Sequence, residues 1–212
     1  MAGSLPPRCL TPLLPMSISE VILLALAAII LFWAVGAYNR LVRLRNEIAN
    51  AFAQIDVQLK RRHDLIPNLV ETARAYLQHE SDTLERVTAA RAQVVAATDL
   101  VKNQPNQPGP IKSLNLAEGA LAGALGRFMA VVEAYPELKA DQQLQDLREE
   151  LTHTENKVAF SRQLFNDATL DYNNAAHQFP ANLIAGLFGF KTAEMLQSTQ
   201  TEAERAPVTV RL

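Results

Sequence analysis

The stretch VILLALAAIILFWAVGA, Val21–Ala37, runs without a break into YNRLVRLR, residues 38–45, and the change between them decides the fold. The seventeen residues of the first part contain no charge and no proline. As a helix they extend ~25 Å at ~1.5 Å per residue, close to the ~30 Å hydrocarbon core of a bilayer. Starting at Ser17 lengthens the helix by about one turn and brings Glu20 to headgroup level. A soluble helix of this length shows a polar stripe, and this run has none. Residues 17–37 therefore read as a membrane-spanning helix.

Flanking charge sets the expected orientation. Arg40, Arg43 and Arg45 follow the span closely, with Lys60, Arg61 and Arg62 further on, whereas only Arg8 precedes it. The positive-inside rule places the body in the cytoplasm and the short N-terminus outside. Trp33 and Tyr38 fall at the cytoplasmic interface, where amphipathic rings prefer to lie. Val35-Gly36-Ala37 satisfies a signal-cleavage pattern, but the run exceeds a usual signal core and no basic cluster precedes it, so an anchor is the better reading.

Composition limits the remainder. A net charge of −2 gives a nucleic-acid partner no electrostatic support. The single cysteine, Cys9, allows no internal disulfide, and it precedes the apolar run where a lipidated cysteine would follow it. Residues 1–16 carry four prolines and no periodicity, so they are expected to be disordered. Met16 offers a compact alternative start.

Beyond the anchor the apolar spacing is helical. Leu41, Leu44, Ile48, Ala51, Ile55 and Leu59 alternate steps of three and four, and no breaker separates them from the span. Pro67 lacks an N–H, so a turn or kink is expected at 63–67, with Asp64 capping the next helix. That second helix carries Leu69, Ala73, Leu77, Leu84, Val87 and Val94, with a dent expected at His79–Asp82. NQPNQPGP at 103–110 is a loop, and a charge-poor third helix with Gly119, Gly123 and Gly126 follows over about 116–134. The fourth helix, 141–179, has the longest seam: Leu144, Leu147, Leu151, Thr154, Val158, Ser161, Phe165, Ala168, Tyr172, Ala175 and Phe179. Pro180 stops it. The organisation predicted is an all-α protein, in which the membrane helix continues into an antiparallel four-helix up-and-down bundle over 38–190. A polar tail occupies 191–212.

No motif for catalytic chemistry emerges. Glu150-Leu151-Thr152-His153 is an E-x-x-H on a helix, but a bundle metal site needs a second such pair, and no other histidine has a glutamate three residues before it. The glycines of the third helix lack the lysine and strand of a phosphate loop. No metal, no cofactor and no enzymatic activity are expected. Two polar clusters remain: Asp56, Lys60, Arg61, Arg62, Asp64, Asn68 and Glu71; and Glu155, Asn156, Arg162, Asn166, Asp167, Asn173 and Asn174. The simpler reading is surface pairing one turn apart. The sharper one is a partly buried interhelical network or a docking face.

Several long words resemble the LemA family of bacterial membrane proteins. They are YNRLVRLRNEIANAFAQIDVQLKRRHDLIPNLVETARAY at 38–76, EAYPELKA at 133–140, ELTHTENKVAFSRQLFNDATLDYNNA at 150–175 and FPANLIAGLFGFK at 179–191. Phe52 stands where members often have Trp, and His63 where they often have Tyr. The resemblance implies one N-terminal membrane helix, a cytoplasmic antiparallel bundle and no established catalysis. It also implies a membrane-organising role of the kind suggested for a magnetosome-associated member.

The leading functional expectation is a non-enzymatic membrane-anchored scaffold, with an accessory subunit of another membrane complex as the alternative. The expected partners are the lipid bilayer and either a second copy or a membrane protein. Trp33, Tyr38, Arg40, Arg43 and Arg45 form the expected membrane-interface set. The word ANLIAGLFGF at 181–190 supplies an interaction patch of Leu183, Ile184, Leu187, Phe188 and Phe190, to be covered by lipid, by a neighbouring copy or by the core.

Overall fold

The computed structural model describes residues 17–77 and 79–196. The expectations for residues 1–16, and for the tail beyond residue 196, lie outside the described residues. Among the described residues there are six helices and no strand.

Helix α1, Ile18–Arg74, is a single element of 57 residues that joins the apolar run to the body. Ser17 and Glu20 form a reciprocal capping box at its start, which satisfies two otherwise unpaired backbone donors. Its most apolar window has a mean hydropathy of 2.6 and no buried residue, the surface of a helix meant to meet lipid. Burial begins at Leu41 and follows the expected seam through Leu44, Ile48, Ile55 and Leu59. Phe52 joins that seam, while Ala51 is only partly covered.

The turn expected at 63–67 does not form. Pro67 lies inside α1, and the chain turns instead between Arg74 and Ser81, a break that begins ahead of the dent expected at His79–Asp82. The physical reason is visible one turn back. Proline leaves the His63 carbonyl without its helical N–H donor. Arg91 Nε, from the next helix, donates to that carbonyl at 2.7 Å. Pro67 itself faces solvent, while Ile66, Leu69 and Val70 around it are buried. Core packing thus carries the helix on through the proline, and a distant side chain replaces the missing bond.

Helix α2, Ser81–Asn103, buries Leu84, Val87, Val94 and Val101. Helix α3 spans Pro108–Ala134 and starts earlier than expected, because Pro108 occupies its first turn, where a missing N–H loses nothing. The loop is thereby reduced to 104–107. A short helix α4, Pro136–Lys139, turns the chain into α5, Gln142–His177, whose N-cap Asp141 accepts from the Leu144 N–H at 2.9 Å.

Helix α5 buries Leu144, Leu151, Thr154, Val158, Phe165 and Tyr172 as the spacing predicted, with Thr169 completing the row. Phe179 leaves the seam, since the helix ends before it, and is exposed. Cross-helix contacts descend along α5 as they ascend along α1: Phe188 lies near Tyr38, Phe165 against Phe52, Glu155 on Arg62 and Asp141 on Tyr76. The ladder carries the C-terminal end of α5 back to the level at which α1 enters the body. There α6, Ala181–Leu187, follows a cis Phe179–Pro180 bond.

Candidate functional site

Two regions concentrate features that simple core packing does not require. The first lies where α1 enters the body. Phe188 and Phe190 contact the Tyr38 ring edge-on, with centroids 4.9 and 5.6 Å away. These contacts place α6 at the depth of the Trp33–Tyr38 turn. Ala185 is buried, and Ile184 and Phe190 pack partly on the core. The other patch residues are open, Leu183 at 63%, Leu187 at 78% and Phe188 at 58%, and Phe179, expected in the α5 seam, is also open at 80%. The expected patch therefore divides. One side glues α6 to the body, and the other forms an apolar surface beside the apolar part of α1.

The arginines ring the same level. Arg43 pairs loosely with Glu47, one turn on, at 3.9 Å, and Arg45 lines a hollow with Tyr172, Phe190 and Lys191. Arg40 lines a groove between α1 and the α5–α6 turn. Trp33 and Tyr38 are both partly open.

The segment after α6, which the sequence reads as the start of a polar tail, docks on α5. Gly189 adopts a φ of 71°, a conformation glycine takes without penalty, and turns the chain back along α5. Asn173 then donates to the Ala193 carbonyl and accepts from its N–H, both at 2.9 Å. Asn166 makes the same paired bonds with Leu196, again at 2.9 Å. Tyr172 donates to the Lys191 carbonyl at 2.8 Å. Seven residues of helix and three of extended chain both span ~10 Å, so two asparagines in register read the strap as a neighbouring strand would. Ala193 and Leu196 are buried beneath it. These asparagines belong to the second polar cluster, and the face they form docks the chain's own segment 191–196.

The second region is a buried charge network in the middle of the body. Arg62 is 2% exposed. Its guanidinium donates to Glu118 from α3 and to Glu155 from α5, the latter at 3.1 Å. Arg162 donates to the other Glu118 oxygen at 2.7 Å. Burial depresses the Arg162 pKa, and Glu118 opposes that effect. For Arg62 burial is the largest single influence, yet the two carboxylates together outweigh it and hold the guanidinium above its ordinary value.

The sharper reading of the polar clusters therefore holds for Arg62, Arg162 and Glu155. Arg61 with Glu150, and Lys102 with Asp56, are solvent-facing pairs at 2.8 Å. Glu118 was missed, although a lone acid between Ala117 and Gly119 in an apolar helix was the available signal. Next to the network, burial and the neighbouring Arg62 lower the His63 pKa to about 4. Glu150 of the E-x-x-H faces Arg61, and no cluster of three or more metal-ligating side chains exists among the described residues.

Comparison with known proteins follows the same outline. A sequence model described as LemA family matches residues 51–212, and the chain belongs to that family. It is 30% identical over 175 residues to Magnetosome protein MamQ 2 of Paramagnetospirillum magneticum, a match covering 76% of this chain and 64% of that protein. Magnetosome protein MamQ of Magnetospirillum gryphiswaldense is 28% identical over 172 residues, covering 74% and 63%. Protein LemA of Metamycoplasma hominis is 25% identical over 171 residues, covering 81% and 74%. The chain thus spans less than two thirds of the length of these magnetosome proteins.

Proposed function

We propose that this LemA-family chain is a non-enzymatic, membrane-anchored helical scaffold that organises or reshapes the bilayer it spans, with its body on the cytoplasmic side of a bacterial inner membrane. The observation that carries the reading is the position of α6. Tyr38 holds Phe188 and Phe190 at the level where α1 leaves its apolar segment, while Leu183, Leu187 and Phe179 point outward uncovered. A full burial of each such side chain is worth ~1.5–3 kcal/mol, and the lipid interface is the nearest apolar medium. An amphipathic element pressed into one leaflet beside a spanning helix widens that leaflet alone. The strap on Asn166 and Asn173 keeps the element from folding away.

The chain has a single tryptophan, Trp33, which makes a depth measurement direct. In a Trp33→Phe, Leu187→Trp protein reconstituted into liposomes, bromine-labelled acyl chains should quench residue 187, and an aqueous quencher should reach it poorly. Free access for the aqueous quencher, or protection from both, would remove the lipid seat.

A second reading, as an accessory subunit of a membrane complex, draws on α3. A Cβ added at Gly119, Gly123 or Gly126 would meet no atom within 4 Å. These glycines weaken the helix by ~1 kcal/mol each, with no close approach among the described residues to require them. A foreign subunit in stoichiometric amount after mild-detergent purification favours this reading, and a homo-oligomer favours the scaffold.

A further inference from the structure

The groove between the base of the span and the α5–α6 turn has the make-up of an amphiphile site. Its volume is about 320 Å³. One wall is Trp33, Gly36 and Ala37 of α1, and the other is Phe179, Pro180 and Ala181. Gln178 and Arg40 supply its polar groups. Gly36 leaves the α1 wall without a side chain, and a Cβ there would meet no atom within 4 Å, so the glycine opens the groove.

Arg40 is exposed and forms no ion pair or side-chain hydrogen bond among the described residues, unlike Arg43, which has Glu47. An unpaired guanidinium one turn below an apolar slot, beside a helix of membrane-spanning length, matches one ligand class. The headgroup phosphate of a phospholipid reaches the cation, while its glycerol and first methylenes fill the slot. From this groove we infer that the protein holds an anionic phospholipid of the cytoplasmic leaflet, with its phosphate on Arg40 and its chains along Gly36 and Ala37. The occupant is set by continuity with the span and by charge, since a soluble phosphate would leave the apolar walls uncovered. The inference rests on the membrane seat proposed above, and it adds a bound lipid to it.

The test uses the full chain, reconstituted in vesicles of equal phosphatidylglycerol and phosphatidylcholine, extracted into mild detergent and weighed intact by native mass spectrometry. One phosphatidylglycerol should stay with the wild type in preference to phosphatidylcholine. Arg40→Gln should reduce that preference about fivefold, the value of one interfacial cation. Arg74→Gln, at the opposite end of α1, should leave it unchanged. Gly36→Leu, whose Cβ meets no atom within 4 Å and whose longer branches occupy the slot, should abolish retention of either lipid while circular dichroism stays that of the wild type. Should Gly36→Leu unfold the body, the Arg40 and Arg74 pair still decides. Equal retention of the two lipids, retention unaffected by Arg40→Gln, or no retained lipid would each overturn the assignment. If the residue 187 reporter is quenched from the bilayer and no lipid is retained, the site alone fails and the membrane seat stands.

Discussion

Replacing Glu118 by leucine is the sharpest test of how the body is held together. Glu118 is the acid shared by two buried guanidiniums, Arg62 and Arg162. Without it Arg162 has no carboxylate partner among the described residues, and Arg62 keeps only Glu155, whose side chain is 30% exposed. Breaking a buried ion pair from one side costs about 3–5 kcal/mol, because the stranded charge cannot regain its water. Against a total stability of ~5–15 kcal/mol, that is a large fraction. Taking ~4 kcal/mol and a urea slope of ~2 kcal/mol per molar, the midpoint should fall by ~2 M.

The assay is urea unfolding of the full chain in detergent micelles, followed by far-ultraviolet circular dichroism. The apolar segment of α1 stays helical in the micelle and contributes a flat baseline. A companion variant separates the cost of the stranded charges from the value of the network. Arg62→Met, Glu118→Leu and Arg162→Met together leave no buried charge, since Glu155 can turn to solvent, and should recover most of the lost stability. A Glu118→Leu midpoint within the error of the wild type would refute the reasoning, because the guanidiniums would then have found water and the site would not be dry.

Other outcomes follow from the same contacts. Leu151 lies buried in the α5 seam, so Leu151→Asp should abolish the cooperative transition, and a wild-type melt would refute that seam. His63 is held neutral down to about pH 4. An unfolded histidine gains its proton near pH 6.5, so stability is fully present above that value and falls between there and about pH 4. The slope in this window is at most ~1.4 kcal/mol per pH unit; His63→Gln should flatten it, and an unchanged slope would assign it elsewhere. For topology, Cys9→Ser, Gln104→Cys protein in intact cells should resist an impermeant thiol reagent, and labelling there would invert the orientation.

The parts legible in the sequence are those written as apolar periodicity. Val21–Ala37 announces its medium because nothing polar interrupts it. The rows through Ile48 and Val158 announce their helices because steps of three and four keep one side dry. Pro67 misled because the proline rule is local, whereas the donor that rescues the His63 carbonyl comes from Arg91, far along the chain. Glu118 was hidden for the same reason, since its partners lie on α1 and α5 and its own helix is apolar. The strap at 191–196 is polar and irregular, and only the register of Asn166 with Asn173 shows that it has a place to dock.

The features that escaped are polar contacts between distant parts of the chain, and they share a physical role. Apolar rows tolerate sliding, because one leucine replaces another as helices shift by a turn of ~5.4 Å. Arg62 cannot shift so far and still reach carboxylates on both α3 and α5. Asn166 and Asn173 likewise accept the strap in one register only, since each must meet an N–H and a carbonyl at once. The network fixes how α1 lies against α3 and α5, and the strap fixes α6 at the end of α5. Together they set the height of Leu183 and Leu187 relative to Tyr38. For a protein whose proposed work is to press a small apolar element into one leaflet, that height is the quantity to hold constant, and polar contacts with one solution hold it better than packing alone.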